Sequence, residues 1–186
     1  MKRGLFLGLA IVLSLTACQQ QEKRYTQQSP EIETYKKVID AYSKQDWEAM
    51  ATHYSDTARI MNNVVEKEGQ TLADLIATNK DDAALFSSWE YVDAESEYEM
   101  VHTDEGQTWV NFYGVWKGTL ITNNKVYTIP SHITAQFIDG KIVKEFGYWD
   151  LSKIMLDMQK LQTIENGTSE EEPMDGGTTA EEEGGQ

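Results

Sequence analysis

The spacing of apolar side chains changes once along this chain, from a period near 3.6 to a period of two. From Ser29 onward Ile32, Tyr35, Val38, Ile39 and Tyr42 recur at helical spacing. Ser29-Pro30-Glu31 supplies an N-cap hydroxyl, a first-turn proline and an acid at the positive end of the helix dipole. Lys44-Gln45 ends this helix. Asp46 caps a second, short one, with Trp47, Met50 and Tyr54 on one face to about His53. The stretch TARIMNNV reads as a first strand. Gly69-Gln70-Thr71 opens a third helix, with Leu72, Leu75 and Ile76 on one face, running to about Phe86.

From Ser88 the pattern alternates. In WEYVDAESEYEMV the even positions are Val92, Ala94, Ser96, Tyr98 and Met100, and Asp93, Glu95, Glu97 and Glu99 occupy the odd ones. One continuous strand with a buried and a wet face is expected. TDEGQ (Thr103 to Gln107) turns the chain into the aromatic strand TWVNFYGVWKGTLI, whose Gly114 and Gly118 imply bending or close packing. TNNK (Thr122 to Lys125) is a hairpin signal. VYTIPSHITAQFI follows, with Pro130 implying a bulge or an edge. Asp139-Gly140 is a tight turn into KIVKEFGYWD, and LSKIMLDMQKL closes as a helix with Ile154, Leu156, Met158 and Leu161 available for burial. Helices interrupted by one strand, then a four-stranded antiparallel meander, then a helix, make an α+β fold.

The two ends read differently. Lys2 and Arg3 precede an uncharged, mostly apolar run from Gly4 to Ala17. As a helix that run covers roughly 21 Å, short of the ~30 Å hydrocarbon core, so it reads as a secretory signal and not a membrane span. The lone cysteine, Cys18, follows at once. Leu15-Thr16-Ala17-Cys18 resembles the lipobox of bacterial lipoproteins. The resemblance implies cleavage after residue 17, diacylglycerol on Cys18, and anchorage to the cell envelope. Gln19 in place of an aspartate points to the outer membrane, facing the periplasm or the cell surface. Residues 18–29 are polar and glutamine-rich, a flexible tether. Residues 163–186 are read as a disordered acidic tail, in which Glu165 to Gln186 carries eight acidic and no basic residues. A net charge of −15 argues against nucleic acid as a partner.

The domain expected between residues 30 and 162 has Tyr54-Ser55-Asp56 after its helical segment, and Asp139-Gly140-Lys141-Ile142 before Tyr148-Trp149-Asp150. With the element order, these motifs resemble the SnoaL-like branch of the nuclear transport factor 2-like superfamily. The resemblance implies a cone: a strongly curved antiparallel sheet wrapped on the N-terminal helices around one deep pocket (a cystatin-like α+β barrel). It implies no particular chemistry, since members include isomerases, cyclases, hydrolases and non-catalytic binders. Family members often dimerise through the open sheet face, so a homodimer is a second partner to test beside the lipid bilayer.

Three sets of residues are candidates. Asp150 shares a face with Tyr148 and Phe146 by alternation. It reads either as a general acid or base in the pocket, assisted by Tyr148 or His132, or as the N-cap of the last helix. Strict alternation sets His132 opposite Ile129, Ile133 and Ala135, and a bulge at Pro130 would reverse that. Trp109, Phe112, Trp116, Tyr127, Tyr98 and Trp47 are candidates to line a pocket for a small apolar ligand, or to be plain core. His53, His102 and His132 lack metal-ligand spacing, so no metal and no cofactor is expected. The reading that follows is a membrane-anchored, non-catalytic module that binds a small molecule or docks a partner protein, with a structural lipoprotein whose pocket is filled by its own side chains as a further class. Its alternative is a cofactor-independent isomerase, cyclase or hydrolase using Asp150.

Overall fold

The computed structural model describes residues 24–165. The signal peptide and Cys18 expected at one end, and most of the acidic tail at the other, lie outside them. Contacts divide the chain into one unit ending at Trp149 and another beginning at Asp150.

The first helix forms as its cap dictates. In α1 (Pro30–Ser43) the Ser29 hydroxyl accepts from the Ile32 N–H at 3.1 Å, and Ile32, Tyr35, Val38, Ile39 and Ala41 are buried. Gln45, at φ 58°, ends the run. Asp46 then accepts from the Ala49 N–H at 3.0 Å and opens α2 (Trp47–Ala51). A capping box between Thr71 and Asp74 opens α3 (Leu72–Ala83), which buries Leu75.

Seven strands form one sheet: β1 (Tyr25–Thr26), β2 (Tyr54–Asn62), β3 (Phe86–Tyr91), β4 (Glu97–His102), β5 (Thr108–Leu120), β6 (Val126–Ile138) and β7 (Lys141–Trp149). The order is β1-β4-β5-β6-β7-β2, with β3 also on β5. The pairs β4-β5, β5-β6 and β6-β7 are the expected antiparallel meander, while β2 adds to β7 in parallel. Asp139 (φ 50°) and Gly140 (φ 74°) make the last hairpin turn in the left-handed conformation that such turns need.

Two expectations change and a third is narrowed. The strand expected from Ser88 is two strands, separated by a 3₁₀ turn at Asp93–Glu95. Both pair with the long β5: β3 with its second half, β4 with its first. The break also reverses the phase. Trp89 is buried in β3 and Met100 in β4, because between Tyr91 and Glu97 the chain takes six steps where β5 takes three, and the odd excess swaps the faces. Pro130 sits in unbroken register opposite Val115, one residue past the last β7 pair, Ser131↔Trp149. It is thus the edge, not the bulge, that accommodates it. The last part of the expected tether is structured: Tyr25 and Thr26 pair with Val101 and Met100, and the Arg24 carbonyl accepts from the His102 N–H at 2.8 Å.

The inner face of the sheet meets α1. Met100, Val110, Ala135 and Ile60 form one cross-strand row, and Phe112 and Ile133 belong to the next. Gly114 and Gly118 are the close approaches anticipated for them. A Cβ on either would drive into the ring of Phe112 or Trp116, which lies flat across the glycine two residues on. The second unit contributes α4 (Ser152–Glu165), on which Met155, Leu156 and Ile164 are exposed, as is Leu151 just before it. Among the described residues no helix is long and apolar enough to cross a membrane.

Candidate functional site

The row Met100, Val110, Ala135, Ile60 contains one further member, and it is a carboxylate. Glu145 lies between Ala135 and Ile60 and is 4% exposed. It faces inward because the β6-β7 register shifts. Phe137 pairs with Ile142 and Gln136 with Lys144, so β7 takes two steps where β6 takes one. The extra residue, Val143, swaps the faces of everything after it. Ile142, Glu145, Gly147 and Trp149 therefore share the inner face, and Lys144, Phe146 and Tyr148 the outer one.

Two phenols reach Glu145 from different elements. Tyr54, at the start of β2, donates to Oε2 at 2.8 Å, and Tyr35 of α1 donates to the same oxygen at 3.2 Å. No donor among the described residues reaches Oε1, and none of their lysines, arginines or histidines forms an ion pair with this carboxyl. Burial pushes the Glu145 carboxyl up to about 7, against the downward pull of the two phenol hydrogen bonds. Burial and the neighbouring carboxylate hold both phenols well above the ordinary tyrosine value. Tyr91 is pushed up to about 12, chiefly by burial; its hydroxyl lies 3.5 Å from that of Ser131.

The surroundings are aromatic. Phe112 packs against Tyr35 (centroids 6.1 Å), Tyr91 (5.0 Å) and Tyr98 (4.9 Å). Tyr42 links this group to a second one, lying 5.6 Å from Tyr91 and stacked on Trp89 at 4.7 Å. Trp47, Trp116 and Phe86 complete the second group. One acidic group near neutrality, hydrogen-bonded donors beside it and π-faces around it can hold a polar ligand atom or exchange a proton.

The residues singled out from sequence are distributed as follows. Phe112 and Tyr98 belong to the Glu145 group, and Trp47 and Trp116 to the adjoining one. Tyr127 is buried opposite Gly118, 3.0 Å from the Asn123 amide. Trp109 is on the outer face, its indole N–H donating to Gln107. His132 and Tyr148 are paired on that same outer face with Tyr113, the His132 ring lying 4.6 Å from Tyr113 and 6.4 Å from Tyr148. Asp150 is exposed and accepts the N–H of Ser152, two residues on and the first of α4, at 2.8 Å. That bond holds its carboxyl below the usual range. The alternation that grouped Phe146, Tyr148 and Asp150 thus selected the outer phase of β7. Sequence reasoning missed Glu145, Tyr35 and Tyr54 as a site. The tyrosines are 110 and 91 residues from the glutamate, and nothing in KIVKEFGYW marks the extra residue. Among the described residues no group of His, Cys, Asp and Glu could hold a metal ion.

No family model matches the chain, and no curated protein matches it. Solved structures do. A candidate polyketide cyclase from Xanthomonas campestris aligns with TM-score 0.57 at 16% identity, over 70% of this chain and 98% of the other. A SnoaL-like candidate cyclase from Shewanella denitrificans aligns at 0.55 and 13% identity, over 72% and 99%. A nuclear transport factor 2-like protein of unknown function from Burkholderia pseudomallei aligns at 0.54 and 14%, over 69% and 97%. At such identities the likeness speaks for fold. The fold is nuclear transport factor 2-like, a curved, unclosed sheet packed on helices.

Proposed function

We propose that this chain is a lipoprotein, tethered to the cell envelope through Cys18, whose SnoaL-like domain holds a small molecule against the inner face of its sheet. The observation that carries the binding role is the Glu145 carboxyl. A buried acid without a basic partner costs stability and packs no better than an apolar side chain, so a structural role alone gives no reason for it. A ligand that uses its free oxygen does. Tyr35 and Tyr54 fix the carboxyl, and the rings around Phe112 supply the apolar wall. The lipobox residues Leu15 to Cys18 support the tether. Two or three acyl chains on one cysteine hold a protein durably where one does not.

Native mass spectrometry of the full chain, purified in detergent from its own membranes, tests this reading. A small molecule should co-purify with the wild type and be lost in Glu145→Gln. Wild-type protein without any bound mass, and without uptake from a small-molecule library, would refute it.

One observation favours a second reading. A carboxyl pushed up to about 7 is poised for proton transfer at neutral pH. In that reading the domain is a cofactor-independent isomerase, cyclase or hydrolase with Glu145, not Asp150, as acid or base. A homodimer remains a proposal of its own. The outer face carries Glu97 and Glu99 at one side, the Tyr113-His132-Tyr148 rings in the middle and Lys144 with Arg59 at the other side. A two-fold contact would set acid against base.

A further inference from the structure

The first strand is only two residues long, yet it fixes where the chain enters the sheet. Tyr25 pairs with Val101 and Thr26 with Met100, and the Arg24 carbonyl accepts from the His102 N–H at 2.8 Å. The Arg24 guanidinium also meets the Asp104 carboxylate at 2.8 Å. Both side chains of that ion pair are exposed, so the backbone pairing holds the strand and the ion pair adds little. Arg24 thus lies level with His102, which pairs with Thr108 at the start of β5. Thr108 pairs in turn with Phe137, so the turns at 103–107 and 139–140 close this same end of the sheet. The turn at 121–125 closes the opposite end of β5 and β6. β1 runs away from the 103–107 turn, so the chain preceding Arg24 leaves the sheet at that end.

Two lengths follow from covalent geometry. An extended chain covers at most about 3.6 Å per residue, so Arg24 stays within about 22 Å of Cys18. The strand β5 has 13 residues, and at a rise of about 3.3 Å each it carries the 121–125 turn about 40 Å from the level of Arg24. The leash is shorter than the sheet is long.

We propose that β1 is a clasp that shortens the leash and orients the domain on the membrane, with the end bearing the 103–107 and 139–140 turns facing the lipid headgroups and the 121–125 turn pointing away. The proposal rests on the reading of Cys18 as the lipid anchor. An inverted domain needs Arg24 to stand about 40 Å above the bilayer surface, beyond the reach of residues 18–24. Without the clasp, the first fixed residue is Ser29, the cap of α1, and the leash extends to about 40 Å, enough for either orientation. Charge favours standing over lying flat. At the facing end, Arg24 and Lys141 offset two of the three carboxylates Asp104, Glu105 and Asp139, whereas the whole chain stands at −15. Lying flat sets more of that acidic surface against anionic lipid.

The test is resonance energy transfer in vesicles. Cys18 is the chain's one cysteine and the acyl acceptor in this reading, so an introduced cysteine is the single thiol open to a dye. The full lipidated chain, extracted from its own membranes, carries Glu105→Cys or Thr122→Cys, both at exposed positions. Each is labelled with a donor dye and reconstituted into vesicles of phosphatidylcholine and phosphatidylglycerol with acceptor-labelled headgroups. Transfer from position 105 should exceed that from position 122 by about fivefold or more, given the two lengths. Equal transfer, or greater transfer from position 122, in protein that floats with the vesicles would overturn the orientation and leave the anchor standing. Protein that does not float with the vesicles would overturn the anchor and the orientation with it. Tyr25→Pro combined with Thr26→Pro removes both amide donors of β1. Transfer from position 105 should then fall about twofold or more as the leash lengthens, and unchanged transfer would overturn the clasp. The comparison of positions 105 and 122 leaves β1 intact, so it does not depend on how the proline variant folds.

Discussion

At the scale of single residues, Glu145 decides most. Its folded pKa of about 7 lies above the ordinary value of 4.5, so between the two the folded state holds a proton that the unfolded chain releases. The stability this contributes is complete below about pH 4.5 and is lost as pH rises through 7, a change on the order of 3 kcal/mol. Thermal melts from about pH 5 to about pH 8 should therefore fall more steeply for wild type than for Glu145→Gln. His53 acts oppositely: desolvation lowers its pKa, so its contribution is lost as pH falls. The difference between the two proteins' curves isolates Glu145. Removing the nearer phenol, by Tyr54→Phe, should raise the carboxyl's pKa further and cost about 1–2 kcal/mol. Infrared titration of the carboxyl band reads the first effect and denaturant unfolding the second. Asp150→Ala should fray α4, visible as lost helical circular dichroism, and leave the Glu145 titration where it was.

At the scale of elements, two local rules are open to test. Ser29 satisfies the first turn of α1, so Ser29→Ala should cost about 1 kcal/mol without changing the fold. Gly114→Ala should cost about 1–3 kcal/mol, because its Cβ meets the Phe112 ring and Phe112 is wedged among Tyr35, Tyr91 and Tyr98. Chemical denaturation reads both. The contrast between these two positions shows what a linear pattern conveys. A cap involves residues three apart, and Ser29-Pro30-Glu31 announces it. A register shift depends on how two strands meet. For that reason the break at Asp93–Glu95 and the extra residue at Val143 passed unseen, though the strands on either side were evident.

At the scale of the whole molecule, the proposed anchor and the proposed dimer are separable. Cys18→Ser should abolish incorporation of labelled palmitate and move the protein from the membrane fraction to the soluble one, with the domain's melt unchanged. If the outer sheet face joins two copies, sedimentation should report a dimer for wild type. Tyr113→Asp, which puts an acid amid the exposed rings, should then shift it to the monomer.

Sequence by itself determined the class of fold, the four helix starts and the hairpin turns. Each depends on side chains within a few residues of one another, through caps, positive φ and apolar period. It also narrowed Asp150 to a cap or a catalyst, and in the structure its carboxylate accepts the Ser152 N–H. Only the tertiary structure decided where the chemistry sits. Residues 35, 54 and 145 come together because α1 packs on the inner face of the sheet, β2 lies parallel beside β7, and one extra residue in β7 turns Glu145 inward. A face of a strand is a global choice: one added residue reverses it, and the cost of reversal is settled by what lies across the core, not by the neighbours in the chain.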